Sequence, residues 1–174
     1  RLLHFARPAK AMLRPLSLHD AIDNALQLVR QRLDQNNIEI RRQLVAENPM
    51  IQADHDQLSQ ALINFFLNAA HAMGEGGTLT VRTSNPEEAP ESTRSASADD
   101  AVPHVRLEIE DTGCGIPAKH LHSIFDPFFT TREEGVGLGL SVSHGIIEEH
   151  HGTIHVESLP GQGTCFSIHF PNTA

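Results

Sequence analysis

Apolar residues recur every three or four positions along two long stretches of this chain, which is the spacing of helices with one buried face. Ser17 followed by Asp20, and Asp54 followed by Gln57, resemble capping boxes at the starts of these helices. Gly74 and the glycines after it end the second helix. The predicted helices run from Ser17 to about Asn36, from Asp54 to Met73, from Pro117 to Ile124 and from Leu138 to His151.

Shorter segments between the helices alternate apolar and polar residues, as strands with one buried face do. The stretch 84–104 is rich in Pro, Glu, Ser, Ala and Asp, so we expect a disordered loop within a strand–strand connection. The predicted strands are Ile38 to Ile40, Met50 to Ala53 as its partner, Thr78 to Thr83, Val105 to Glu110, Thr153 to Ser158 and Thr164 to Phe170. Together the elements predict an α+β fold, a two-layer α/β sandwich with helices packed on one face of a mixed β-sheet.

Composition and charge narrow the function classes. The 174 residues carry a formal charge of −9, which argues against a general affinity for nucleic acid or for anionic membranes. No apolar run is long enough to span a bilayer, and no secretory signal opens the chain, so we expect a cytoplasmic domain, while membrane attachment of the parent protein stays open. Cys114 and Cys165 lack metal-site spacing, and the scattered histidines predict no metal site. Because the chain begins with Arg1, we expect it to be part of a longer protein.

Two asparagines and two glycine-bearing stretches carry the candidate chemistry. Asn64 and Asn68 share one helix face, where their amide oxygens suit Mg²⁺ or hydrogen-bond within the fold. Glycines, as in 111–116 and 135–140, let the backbone approach phosphates, and a helix start offers unpaired N–H groups to an anion. Asp111, lodged in a glycine turn, can accept a hydrogen bond from a purine amino group. The residues therefore predict a nucleotide site.

Five motifs follow one another at 64–69, 111–115, 125–129, 135–140 and 161–164. Their order resembles that in the catalytic and ATP-binding domain of sensor histidine kinases, in the superfamily of gyrase, histidine kinase and MutL ATP-binding domains. The amino-acid sequence of residues 124–132 is most similar to that of the nitrogen-regulation (NtrB-like) branch. The resemblance implies the Bergerat-type ATP-binding fold over 15–174, preceded in 1–14 by the end of a dimerisation helix and a linker. The stretches that resemble the N, G1, F, G2 and final glycine boxes are 64–69, 111–115, 125–129, 135–140 and 161–164.

The resemblance also implies roles for single residues. Asp111 would accept from the adenine amino group, Asn68 with Asn64 would hold Mg²⁺, and Arg132 would neutralise the γ-phosphate. Arg132 could instead be a solvated lid residue beside two glutamates, and His71 could belong to a merely polar helix face. The other implied ATP-binding residues are Gly113, Gly115, Ile116, Thr131, Gly135, Gly137, Leu138, Gly139, Leu140 and Thr164.

Some motif residues are expected to have only packing roles. Phe125, Phe128 and Phe129 are predicted to pack in the core rather than to contact the nucleotide. Cys114 and Cys165 fall in the first and last glycine boxes, which the resemblance brings together around the base, and we expect both to be inert.

The activity implied is that of a protein histidine kinase, which uses ATP and Mg²⁺ and passes the γ-phosphoryl group to a histidine. The acceptor motif of the resembled family has a proline shortly after its histidine and acidic residue. Neither His19-Asp20 nor His55-Asp56 is followed by such a proline, so we expect the acceptor histidine in an upstream dimerisation domain. The implied partners are that domain, a response regulator and a second copy of the parent protein. An alternative is a slow ATPase or a nucleotide-sensing scaffold of the same fold. Gyrase-type ATPases resemble one another in having a glutamate base where this chain has Asn64, so we expect slow hydrolysis.

Overall fold

The computed structural model describes residues 10–86, 103–131 and 135–173. The segment 1–8, predicted to end a dimerisation helix, and Arg132 lie outside the described residues, as does most of the 84–104 loop. The elements are β1 (Arg14–Ser17), α1 (Leu18–Gln35), β2 (Ile38–Leu44), β3 (Met50–Ala53), α2 (His55–Met73), β4 (Gly77–Ser84), β5 (His104–Asp111), α3 (Ala118–Leu121), α4 (Gly139–Glu149), β6 (Thr153–Leu159) and β7 (Gly163–Pro171).

Five strands form one mixed sheet in the order β2-β4-β5-β7-β6. The strands β2 and β4 run parallel, whereas the other neighbours pair antiparallel. Alternate residues of the central strands, such as Leu79, Leu107 and Ile168, are fully buried, and α1, α2 and α4 contact this layer. The prediction of an α+β sandwich with a mixed sheet is therefore confirmed.

The two long helices begin as their capping residues predict. The Ser17 side chain accepts from the Asp20 N–H, and the Asp54 carboxylate accepts from the Gln57 N–H at 3.1 Å. The helix α2 buries Phe65 and Phe66 almost completely, and burial of such a side chain contributes about 1.5–3 kcal/mol each. A helix fixed this firmly can hold the polar residues of its other face in place.

The predicted pairing of 38–40 with 50–53 is wrong. The strand β3 pairs antiparallel with β1, with Arg14 opposite Ala53, and β2 pairs with β4 instead. Pro15 in β1 hides the strand signal, because proline breaks a strand pattern yet is tolerated at the edge of a sheet. The crossover through α2 then makes β2 and β4 parallel.

The remaining differences from prediction are small. The helix over 117–124 is only Ala118–Leu121, and α4 begins at Gly139 and ends at Glu149. The strands β4 and β5 pair with each other, so 84–104 does connect neighbouring strands. Among the helices of the described residues, none combines the length and the apolarity needed to cross a membrane.

One joint links the N-terminal segment, α2 and α4. The N–H of Asp54 donates to Nε2 of His150 at 2.9 Å, and His150 Nδ1 donates to Ile146 O at 2.7 Å. The imidazole is buried, with 2% exposed. The Asp54 carboxylate also accepts from the N–H of Met12 at 2.9 Å. Asp54 therefore fixes the start of α2 to the end of α4 and to the incoming chain.

Three asparagines close the end of the sheet from which 84–104 departs. Asn85 Nδ2 donates to Asn48 O at 2.9 Å and to His104 O at 3.1 Å. Asn172 Nδ2 donates to Asn48 O at 2.9 Å and to Met50 O at 3.1 Å. We call Asn48, Asn85 and Asn172 the asparagine clasp. It joins the residues that directly follow β4 and β7 to the segment before β3.

Candidate functional site

A cavity of about 400 Å³ opens between α2, the segment after β5 and the start of α4. It brings together most of the residues that the sequence predicts for nucleotide binding. Those predicted residues are Asn64, Asn68, His71, Asp111, Gly115, Ile116, Thr131, Gly137, Leu138, Gly139, Leu140 and Thr164. The other lining residues are Ala69, Ala72, Cys114, Pro117, His120, Ile124, Phe129, Thr130, Val136 and Phe166.

Asp111 is a buried carboxylate at the end of β5. It is 4% exposed, and its Oδ1 accepts from the Gly113 N–H at 2.8 Å. Burial raises the pKa of the Asp111 carboxyl, while hydrogen bonds from the backbone N–H groups of Gly113 and Thr164 act in the opposite direction. A carboxylate of this kind has acceptor capacity left for a ligand that donates a hydrogen bond.

The segment after Asp111 requires its glycines. Gly115 has φ +70°, and a Cβ there would lie 2.1 Å from the carbonyl oxygen of Leu159. Gly113 packs against the backbone of Ala72, and the Cys114 N–H donates to Ala72 O at 3.0 Å. The segment is thereby pressed against both α2 and the end of β6, and it forms one wall of the cavity.

Ser158 supports this wall from behind, and sequence reasoning missed it. Its hydroxyl donates to Gly163 O and accepts from the Ile116 N–H at 2.8 Å. It also lies 2.9 Å from the hydroxyl oxygen of Thr164. A serine near the end of a strand has no distinctive signal, because its role depends on Ile116, which lies 42 residues earlier in the chain.

The start of α4 faces the same cavity. Its cap residue, Leu138, makes no side-chain capping hydrogen bond, so the first N–H groups of the helix keep their capacity to donate. Asn64 and Asn68 line the cavity from α2. Asn64 Nδ2 donates to Gly139 O and to Ser143 Oγ, so a bond within the fold is present and the amide oxygen remains for another ligand.

His71 lies at the exposed edge of the cavity. Its Nδ1 donates to Leu67 O at 2.7 Å, which fixes the ring and leaves Nε2 as its other polar atom. Across the described residues, we find no cluster of three or more His, Cys, Asp or Glu side chains that could hold a metal ion. A metal here would depend on oxygen ligands from asparagine and from the nucleotide itself.

The three phenylalanines play different parts. Phe125 packs with Phe166, with ring centroids 6.4 Å apart, as predicted for a core residue. Phe129 lines the cavity beside His120, with ring centroids 5.3 Å apart. The core prediction is wrong for Phe128, which is 67% exposed. Phe128 lies in a turn, with φ +68°, where its N–H donates to Gly137 O.

Two predicted positions do not line the cavity, and a third lies outside the described residues. Gly113 lies beneath the wall that it helps to form, Gly135 is absent from the lining, and Arg132 is outside the described residues. Cys165 does not line the cavity, contrary to the expectation that it would lie near Cys114 around a bound base. It alternates with the buried Thr164 and faces the outer side of the sheet beside Glu110. Burial raises the pKa of its thiol.

Comparison with known proteins agrees with this geometry. A family profile described as histidine kinase-, DNA gyrase B-, and HSP90-like ATPase matches residues 53–174. Sensor histidine kinase ZraS of Escherichia coli is 39% identical over 172 residues, which are 98% of this chain and 33% of ZraS. The chain therefore spans about a third of the length of this curated relative.

Solved structures are similar over nearly the whole chain. The catalytic domain of histidine kinase ThkA has a TM-score of 0.75 at 28% identity, over 92% of this chain and 96% of that domain. The crystal structure of ThkA in complex with response regulator protein TrrA has a TM-score of 0.71 at 28% identity. That match covers 92% of this chain and 42% of ThkA.

Proposed function

This chain belongs to the family of histidine kinase-, DNA gyrase B- and HSP90-like ATPases, and we propose that it binds ATP with Mg²⁺ and transfers the γ-phosphoryl group to a histidine. The observation that carries the proposal is one cavity that combines a buried carboxylate, an uncapped helix N-terminus and two asparagines. The carboxylate suits a base with an amino group, and the helix start suits phosphates.

Adenine is the base that Asp111 fits. One carboxylate oxygen already accepts from Gly113, and the remaining capacity suits the exocyclic amino group of adenine. Guanine carries a carbonyl oxygen at that ring position, so two acceptors would face each other without a proton between them. Gly115 and Thr164 would contact the same base from the wall and from β7. We therefore expect ATP to bind in preference to GTP.

The other part of the site suits a triphosphate. The backbone N–H groups of Gly137, Leu138 and Gly139, at the start of α4, would donate to phosphate oxygens, and the helix dipole favours negative charge there. The amide oxygens of Asn68 and Asn64 would hold Mg²⁺, which neutralises phosphate charge when bound. Arg132 would act on the γ-phosphate, in line with the sequence prediction.

Phosphoryl transfer requires little covalent chemistry from the protein, because positioning and charge neutralisation supply most of the catalysis. Asn64 cannot act as a general base toward water, which favours transfer over hydrolysis. We propose that the acceptor histidine belongs to an upstream dimerisation domain of a homodimeric parent protein, and that the present domain works in the cytoplasm. A response regulator would then take the phosphoryl group, and the complex of ThkA with TrrA supports this partner class.

A calorimetric titration of the chain with ATP and Mg²⁺ tests the binding step. We expect saturable binding that Asp111→Asn weakens about 10- to 100-fold, because a hydrogen bond to a charged group is lost. Asp20→Asn, a matched change in the first turn of α1, should leave the affinity unchanged. Absence of binding by the unmodified chain would refute the proposal.

A second assay separates the kinase from its alternatives. The chain would be mixed with a separately produced dimerisation domain of its parent and with ATP labelled in the γ-phosphate. We expect the label on a histidine of that domain and none on this chain alone. Steady release of phosphate without the partner would instead favour the slow ATPase, and ATP binding without any transfer would favour the scaffold.

A further inference from the structure

A polar contact joins α2 to the first turn of α4 beside the proposed phosphate site. Asn64 Nδ2 donates to Gly139 O and, at 3.0 Å, to Ser143 Oγ. The Ser143 hydroxyl gives its own proton to Gly139 O at 2.9 Å, so its oxygen accepts from Asn64. Ser143 is 0% exposed. We call Asn64, Gly139 and Ser143 the α2–α4 contact.

Gly139 is adapted to this contact rather than to a special backbone conformation. A Cβ at Gly139 would lie 2.8 Å from Oδ1 and 2.9 Å from Nδ2 of Asn64. Gly137, by contrast, has φ +74°, a conformation that favours glycine in its own right. The third glycine of this motif is therefore needed because the Asn64 amide occupies the space of a side chain.

The contact restrains the part of α4 that the proposed function uses. Leu138 gives the helix no side-chain cap, and in the proposed function the first N–H groups of the helix donate to phosphate oxygens. The first turn is instead held through the Gly139 carbonyl, from the side of α2. Both bonds to Asn64 use its amide nitrogen, which leaves the oxygen for a cation.

We propose that Asn64, together with Ser143, is a positioning residue that fixes the first turn of α4 for phosphate binding. The inference rests on the proposed function, because it concerns the affinity for the phosphates of ATP. It goes beyond a metal-ligand role, since Ser143 is buried and does not line the cavity. The effect of Ser143 on ATP binding must therefore persist when no divalent cation is present.

The test compares ATP with adenosine, both titrated calorimetrically in the presence of EDTA. For Ser143→Ala we expect ATP affinity to fall about three- to tenfold, the effect of one lost hydrogen bond, with adenosine affinity unchanged. Gly139→Ala should cause a similar loss, because its methyl group displaces the Asn64 amide. Gly145→Ala is the matched control in the same helix, where nothing lies within 4 Å of the added Cβ.

The outcomes are decisive in each direction. An equal loss of ATP and adenosine affinity in Ser143→Ala would mean general destabilisation and would overturn the inference. If the unmodified chain binds ATP and Ser143→Ala binds it with the same affinity, the inference is also overturned. If the unmodified chain does not bind ATP with Mg²⁺, the proposed function fails and the inference fails with it. Loss of ATP affinity in Gly139→Ala but not in Gly145→Ala would support the contact directly.

Discussion

Replacing His150 by asparagine should destabilise the nucleotide-free domain. The imidazole accepts from the Asp54 N–H on one side and donates to Ile146 O on the other, and it is buried. The shorter amide cannot span both partners, so at least one buried group loses its hydrogen bond. That loss costs about 1–3 kcal/mol, and the missing ring atoms add a cavity cost of about 1 kcal/mol. We therefore expect a loss of about 2–4 kcal/mol in unfolding free energy.

His151→Asn provides the matched control. This neighbouring histidine is exposed and has φ +58°, a conformation that asparagine tolerates better than most residues. The same change in chemistry should therefore cost almost nothing at this position. Urea unfolding followed by far-ultraviolet circular dichroism would compare both variants with the unmodified chain. If the two substitutions lower the unfolding free energy by amounts within about 0.5 kcal/mol of each other, the argument that His150 joins α2 to α4 is refuted.

Two further predictions concern the cavity itself. Gly115→Ala should weaken ATP binding and lower stability far more than Gly161→Ala, which calorimetry and thermal unfolding would measure. Both glycines have positive φ, but only the Cβ at Gly115 would meet an atom, Leu159 O at 2.1 Å. The affinity for adenosine should fall on acidification, and the midpoint of this loss should lie at a higher pH than the pKa of an exposed aspartate. The pKa of Asp111 is raised in the free domain and its ionised form accepts from the base, so affinity is full above that pKa and is lost below it. We expect the adenosine affinity of Asp111→Asn not to change with pH in this way. An equally flat pH profile of the unmodified chain would contradict this reasoning.

Local sequence signals predicted most of the fold. Ser17 and Asp54 cap the two long helices because a capping residue and the N–H groups that it accepts from lie within three positions. The pairing of β2 failed for the opposite reason. Its partner, β4, lies beyond a whole helix, and β1 carried no strand signal because of Pro15. Partner choice between strands is a long-range property that a short pattern does not contain.

The residues of the candidate site also differ in whether a local sequence signal predicts them. Asp111 and Gly115 stand out in the sequence because a carboxylate among glycines needs an explanation. Ser143 and Ser158 do not stand out, because serines are common and their partners lie on other elements. Ordered motifs thus predict the groups that contact a ligand, whereas the groups that hold those contacts in place appear only once the elements are packed.

The asparagine clasp has a consequence for engineering the protein. The Asn85 side chain bonds the backbone at His104, so the two ends of the 84–104 connection are joined independently of the residues between them. Asp111 and Thr164 lie at the opposite ends of β5 and β7 from this clasp. Because closing a longer loop costs only about 0.6 kcal/mol per doubling of length, a reporter domain inserted within 87–102 should leave the cavity undisturbed. Cleavage there should likewise yield two fragments that stay together and complement each other as a split protein.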